Sequence, residues 1–285
     1  MAELLTGAPA AADVKQRVAQ LMEENGLKEH PPVLEIIRVG DAEDDLTYER
    51  SAIKRMEQLG IGVKVTALAD EGAEKTAESV KAAVEHANAD HEVNGVLFLM
   101  ATSYANIARG VLDPAKDIDG CTTGSMAGVY AGTELGFAPC TAQACIEILD
   151  HYGIEIAGKK AAVIGRSTVI GRPVAMMLMH RNATVTICHT KTVDPASIAR
   201  GADIVIACCG RARNVGKDYA APGQTIIDVG INWDEKLGKI VGDVDFDAVE
   251  PIVGAITPVP KGVGAVTTSV LALHTVQAAL RQRQI

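Results

Sequence analysis

The residues best spaced for chemistry run Ala161-Ala-Val-Ile-Gly165-Arg166-Ser167-Thr-Val-Ile-Gly171-Arg172-Pro173. An apolar strand enters a glycine, a short polar loop, a second glycine and then a helix with proline in its first turn. Gly165 permits the tight turn, and Gly171 lets backbone and helix come close. The start of the helix then offers free N–H groups and a positive dipole end to a pyrophosphate. The middle glycine of G-x-G-x-x-G is absent, with Ser167 near its place, so the segment alone also fits an ordinary strand–helix turn. The next strand supplies a second signal. It ends in His189-Thr190-Lys191-Thr192, with no carboxylate to accept from a ribose 2′-hydroxyl, while Arg166 lies in the adjacent loop. A cation and hydroxyls there suit a 2′-phosphate and favour NADP over NAD; solvated loop charges are the plain alternative.

Such a site needs a parallel sheet behind it. Apolar periodicity predicts a helix over residues 10–26, a strand at Val33–Val39, a helix over 47–59, a strand over 63–68, a helix over 76–87 and a strand at Gly95–Leu99. After a turn-rich middle and a helix over 142–152, a second alternating series begins. Its strands are Lys160–Ile164, Thr184–Cys188, Ile204–Ala207, 225–229 and 254–256, and the chain closes on a helix at Thr267–Arg283. Alternation of this kind implies parallel sheets with helices on their faces, in two α/β domains.

Composition narrows the function classes. The chain of 285 residues is 48% hydrophobic but only 3% aromatic, so its core is aliphatic. A net charge of −9 speaks against a nucleic-acid footprint while leaving room for a locally basic pocket. No apolar run reaches the roughly 20 residues that span a bilayer, and no membrane partner is expected. The N-terminus lacks the layout of a signal peptide. The six cysteines show neither metal-ligand spacing nor a disulfide framework, which suits reduced thiols in a cytoplasm and no bound metal.

Six segments in order carry a resemblance: Lys116-Asp-Ile-Asp119-Gly120, Pro139-Cys-Thr141, Gly165-Arg-Ser-x-x-x-Gly171-Arg-Pro173, Asp228-Val-Gly-Ile-Asn232, Val241-Gly-Asp-Val244 and Ile256-Thr-Pro-Val-Pro-x-Gly-Val-Gly264. Over nearly its whole length the chain resembles the bifunctional methylenetetrahydrofolate dehydrogenase/methenyltetrahydrofolate cyclohydrolase family. The resemblance implies an N-terminal α/β folate domain, residues 1–140 completed by 265–285, and a Rossmann-like dinucleotide domain over 141–264. It implies a tetrahydrofolate derivative as substrate, held in a cleft against the nicotinamide, and a homodimer through the dinucleotide domain. Gly165, Arg166, Ser167, Gly171, Thr190 and Ile231 would contact NADP. Tyr48 and Asp119 would be the catalytic and substrate-binding pair, Tyr48 along the pterin and Asp119 hydrogen-bonded to its ring. Taken without the resemblance, Tyr48 reads as a core-rim residue and Asp119 as the turn residue of an Asp-Gly pair.

The chain departs from the family at three places. The Tyr-x-x-x-Lys of the folate site reads Tyr48-Glu-Arg-Ser-Ala52, and Lys54 lies on a different face of the helix. Leu99 stands where the family has glutamine. A glycine pair has become Lys261-Gly262, which places an ammonium group on the folate side and makes both residues expected substrate contacts. Hydride transfer needs alignment of two reactants, whereas hydrolysis needs a positioned acid–base group. The departures therefore predict an NADP-dependent dehydrogenase with lost or weak cyclohydrolase activity. The alternatives are a bifunctional enzyme using a displaced lysine, Lys261 or Lys54, and a non-catalytic folate- or dinucleotide-binding protein.

Overall fold

The computed structural model describes residues 1–235 and 237–283, and the chain divides into two compact units, 14–140 with 268–285 and 1–13 with 141–267. Lys236 and the last two residues, parts of the expected segments 141–264 and 265–285, lie outside the described residues.

In the first unit the strands Gly62–Leu68, Val33–Val39 and Gly95–Leu99 form a parallel sheet, with Val33–Val39 in the centre. That central strand buries Leu34, Ile36 and Ile37 completely, the near-continuous apolar run of a strand covered on both faces. Its two buried polar side chains are paired. Glu35 accepts from the Thr66 hydroxyl at 2.6 Å and faces Lys64. Arg38 donates to Glu49 at 2.9 Å, and Glu49 follows Tyr48 on the Glu43–Gln58 helix, so the pair ties that helix to the sheet. The helix starts four residues before its expected position. Glu43, Asp44 and Asp45 fill its first turn, where the positive dipole end favours carboxylates.

Two helices here were not expected, Thr102–Val111 and Thr123–Ala131. The buried side chains of the first are alanines, Ala105 and Ala108, which carry little apolar contrast. It packs with Val80, Val84 and Ala87 of the Ala73–Ala89 helix against Ile37, Val39 and Val96 of the sheet. The second is capped by the Thr122 hydroxyl, which accepts from the Ser125 N–H at 3.1 Å, and stops at Gly132 in the left-handed region.

The second unit holds a six-stranded parallel sheet in the order Glu3–Leu4, Ala255–Ile256, Thr225–Asp228, Ile204–Ala207, Lys160–Ile164, Thr184–Cys188. The first residues of the chain thus enter this sheet, Glu3 opposite Ala255 and Leu4 opposite Ile256. Strand order reverses about Lys160–Ile164: the next strand in sequence lies on one side of it and the one after on the other. In open α/β sheets the crevice at the carboxyl ends of such strands is where ligands bind. The Asn232–Asp234 and Lys239–Val241 strands form an antiparallel hairpin outside the sheet.

One buried cation holds the approach to the candidate site. Lys116 donates from Nζ to the carbonyl oxygens of Ala87, Asn88 and Asp90, at 2.7, 3.0 and 2.6 Å, closing the C-terminal end of the Ala73–Ala89 helix. Helix ends leave carbonyls unsatisfied, and hydrogen bonds from a charged donor are the stronger kind. Lys116→Met should destabilise the protein by about 2–4 kcal/mol, read as a lower urea midpoint with unchanged slope; a midpoint equal to that of the parent would show that water serves these carbonyls equally well.

Candidate functional site

At the reversal point of the six-stranded sheet, Gly165 adopts φ +139, and a Cβ there would lie 2.3 Å from the Cys208 carbonyl oxygen. A Cβ on Gly171 would lie 2.4 Å from the Gly165 carbonyl oxygen, so strand end and helix start touch through backbone alone. Ser167 has a role the sequence reading did not assign. Its hydroxyl accepts from the N–H groups of Ile170 and Gly171, at 3.1 and 3.3 Å, and its carbonyl accepts from Arg172 at 3.0 Å. The helix-start donors expected to be free are therefore engaged. The Gly165–Ile170 loop and the Ser167 O–H remain to face an anion, with the helix dipole behind them.

The pocket at this point is lined by Arg166, Ser167, His189, Thr190, Arg211 and Tyr219, among others, and among the described residues no carboxylate lines it. The loop after the Thr184–Cys188 strand is tied into a turn: His189 accepts from the Lys191 N–H through Nδ1 at 3.1 Å, and the His189 N–H donates to the Thr192 hydroxyl at 2.9 Å. This turn sets Thr190 at the pocket wall. Sequence reasoning missed Arg211. The signal was available, because Arg211 lies in the loop after the Ile204–Ala207 strand, as Arg166 lies in the loop after Lys160–Ile164. Ile231, Lys261 and Gly262 line a smaller recess of the same unit. Ile231 is exposed, Lys261 sits at φ +83, and the Lys261 carbonyl accepts from the Gly7 N–H at 2.8 Å.

In the other unit Tyr48 and Asp119 lie in each other's electrostatic reach, together with Cys140, Cys121 and Arg109. Asp119 accepts from the Cys140 N–H at 3.3 Å. Burial raises its carboxyl to about 6, against the Cys140 hydrogen bonds, which lower it; Asp117 adds to the rise and Arg109 opposes it. The Tyr48 phenol is pushed far up, first by burial and then by Asp119 and Cys140, and so stays a hydroxyl. Burial likewise raises the thiols of Cys121 and Cys140, leaving neither a ready nucleophile. A recessed carboxyl beside a neutral phenol can accept from ring N–H groups and pack along a ring. The Cys140 thiol also meets His274 Nδ1 at 3.7 Å, but burial pushes the thiol up and the imidazole down to about 4, so the pair stays uncharged.

The departures seen in the sequence have structural counterparts. Ala52 is wholly buried and Leu99 nearly so, while Lys54 is exposed on the helix that carries Tyr48. Among the described residues no group of three or more His, Cys, Asp or Glu could hold a metal ion, all six cysteines are free, and no helix is long and apolar enough to cross a membrane.

Residues 5–119 match the family model for the catalytic domain of tetrahydrofolate dehydrogenase/cyclohydrolase, and residues 139–283 match the model for its NAD(P)-binding domain. The chain is 44% identical over 282 residues to a bifunctional FolD protein of Carboxydothermus hydrogenoformans, covering 98% of this chain and 97% of that one. The crystal structure of the bifunctional FolD methylenetetrahydrofolate dehydrogenase/cyclohydrolase of Campylobacter jejuni gives a TM-score of 0.90 at 34% identity, covering 99% of each chain. A methylenetetrahydrofolate dehydrogenase-cyclohydrolase of Trypanosoma brucei, solved with NADP and an inhibitor, gives 0.89 at 29% identity, over 100% of this chain and 99% of that one. The two-unit α/β architecture and both matches agree: this chain is a member of the tetrahydrofolate dehydrogenase/cyclohydrolase family.

Asp119 gives the site a measurable signature. Its carboxyl titrates at about 6 in the folded protein against an ordinary 3.8, so folding favours the protonated form. That contribution is full below the ordinary value and is lost as pH rises through 6. Asp119→Asn stays neutral throughout, so its stability relative to the parent should climb between pH 4 and 7 by on the order of 2 kcal/mol. Urea midpoints at four pH values read this directly; a difference that is flat with pH would mean that Asp119 ionises as it does in water.

Proposed function

We propose that the protein is an NADP-dependent methylenetetrahydrofolate dehydrogenase that also hydrolyses the methenyl product. The observation that carries the reading is the 44% identity, over nearly the full length of both chains, to a relative described as bifunctional. Relatives at 44% and 42% identity are described as bifunctional, so the bifunctional alternative replaces the expectation of a dehydrogenase without the hydrolytic step. Tyr48 and Asp119 would hold the pterin ring, and NADP would accept the hydride. The chain's part in that step is alignment and exclusion of water. Gly165, Ser167 and Gly171 would cradle the pyrophosphate, Arg166 and Thr190 the 2′-phosphate, and Ile231 the nicotinamide end. Two arginines and no carboxylate around the pocket support NADP over NAD.

With Ala52 buried, the hydrolytic step needs its acid–base group from elsewhere. On this reading that role falls to Lys261, which stands in place of a glycine of the family pattern. It shares a recess with Ile231 and Gly262, whereas Lys54 points to solvent. We also read the chain as a cytoplasmic homodimer through the dinucleotide unit. The exposed Trp233 and Leu237 of the hairpin are apolar surface that a second copy would cover.

Arg166→Ala should raise the KM for NADP about 10- to 100-fold, the loss of a charge-assisted contact to phosphate, with a much smaller change for NAD. Equal losses for both cofactors, or a parent enzyme that prefers NAD, would refute the NADP assignment. In the same preparation methenyltetrahydrofolate should decay about 10²- to 10⁴-fold faster than in buffer, and Lys261→Ala should remove that gain while NADP reduction continues. Decay at the buffer rate in the unmodified enzyme would restore the dehydrogenase-only reading.

A further inference from the structure

A helix start binds a pyrophosphate because its first N–H groups have no partner within the helix. Here the first turn has no such group left over. The N–H groups of Ile170 and Gly171 donate to the Ser167 hydroxyl, and Arg172 donates to the Ser167 carbonyl. Pro173 has no N–H, and Val174 donates to the Ile170 carbonyl. Moving an anion out of water without a counter-charge is costly, so the charge has to come from another wall of the pocket. The loop after the Ile204–Ala207 strand is placed to provide it. That strand pairs directly with Lys160–Ile164, and the loops leaving the two strands touch, since a Cβ on Gly165 would lie 2.3 Å from the Cys208 carbonyl oxygen. Three residues further on, Arg211 lines the same cavity of about 370 Å³ as Gly165, Arg166 and Ser167. Its backbone is fixed, because the N–H groups of Gly210 and Arg211 donate to the two carboxylate oxygens of Asp243, at 2.8 and 2.9 Å. Its side chain is exposed, and among the described residues the guanidinium has no hydrogen-bond or ion-pair partner. Arg213, on the same loop, is by contrast committed to Asp245 and Asp247, at 3.8 and 3.3 Å.

We propose that Arg211 is the counter-ion of the cofactor's pyrophosphate, leaving Arg166 to the 2′-phosphate. The proposal rests on the reading of this pocket as the dinucleotide site. The order of strands separates the two tasks. The ribose 2′ position belongs at the end of Thr184–Cys188, on one side of Lys160–Ile164, and Arg211 leaves the strand on the other side. The Gly165 turn lies between them, and the pyrophosphate with it. A planar guanidinium can meet two phosphate oxygens at once, and a loop already pinned by Asp243 loses little freedom when it does so. Both NAD and NADP carry the pyrophosphate. Arg211 therefore sets affinity for either dinucleotide, while Arg166 sets the choice between them.

The test is calorimetric titration of the whole protein with NADP, NAD and ADP-ribose, for the parent and for Arg211→Gln. Displacement of NADP by adenosine 2′-monophosphate, which has the other phosphate but no pyrophosphate, completes the set. Arg211→Gln should weaken NADP, NAD and ADP-ribose by the same factor, about 10- to 100-fold. Its affinity for adenosine 2′-monophosphate should equal that of the parent. A loss confined to NADP and adenosine 2′-monophosphate would put Arg211 at the 2′-phosphate, and an equal loss for all the ligands would put it at the adenosine. Either result, or no loss at all, overturns the proposal. Arg211→Ala carries the same test should the glutamine variant not fold. A parent protein that binds neither dinucleotide overturns both this proposal and the proposed function. A parent that binds NAD more tightly than NADP, with the expected Arg211 effect on both, supports the role of Arg211 and overturns the NADP assignment alone.

Discussion

The Asp117 carboxylate is fully buried and accepts from the N–H groups of Cys121 and Thr122, at 2.9 and 2.7 Å, and from the Ser125 hydroxyl at 2.6 Å. A buried carboxyl is tolerable only when its lone pairs are occupied, and here two backbone N–H groups and a hydroxyl occupy them. The loop that gives up those N–H groups is thereby fixed, and Asp119 rides on it. The dinucleotide unit uses the same device twice. Asp228 accepts from the N–H groups of Gly230, Asp243 and Val244, and Asp243 accepts from Gly210, Arg211 and the Asn232 side chain. Parallel strands end in loops that have no ladder to satisfy them. Carboxylates beneath those loops supply the missing acceptors and set where Asp119 and Arg211 stand.

Asp228 shows that this arrangement is costly. Burial lifts its carboxyl to about 7 even though three backbone N–H groups pull it down. Asp119 sits at about 6 with fewer compensating donors. Both groups therefore oppose stability at neutral pH relative to a neutral isostere, but for different reasons. The first trades it for loop geometry, and the second sits recessed beside the Cys140 N–H with a single backbone donor. The net charge of −9 says nothing of either site. Locally the nucleotide pocket presents Arg166 and Arg211, and the Asp119 cluster presents Arg109. Fields of this range are set by the nearest few charges once water is displaced.

The strands Val33–Val39, Gly95–Leu99, Lys160–Ile164, Thr184–Cys188 and Ile204–Ala207 were legible in the amino-acid order with the bounds they have, because runs of Val, Ile and Leu bounded by glycine or polar turns leave little choice of partner. The Thr102–Val111 helix was not, because its buried face is alanine, and alanine marks a face only once something packs on it. Gly165 and Arg166 were readable for a local reason, since a tight strand–helix turn is contained within a few residues. The occupation of the helix-start N–H groups by Ser167 was hidden, because the loop has to fold before its hydroxyl can reach Ile170 and Gly171.

The order of residues by itself determined the alternating α/β plan, the aliphatic core, the glycines at the nucleotide turn and the absence of a lysine at position 52. Those are properties of composition and of spacings shorter than a helix or strand. Tertiary structure alone decided that Glu3–Leu4 joins the sheet beside Ala255–Ile256, that Arg211 lines the same pocket as Arg166, and that Cys140 meets Asp119. Each of these depends on strand order or on a chain reversal fixed by Lys116 and Asp117, and pairings between residues distant in sequence become defined only when burial selects one arrangement of the elements.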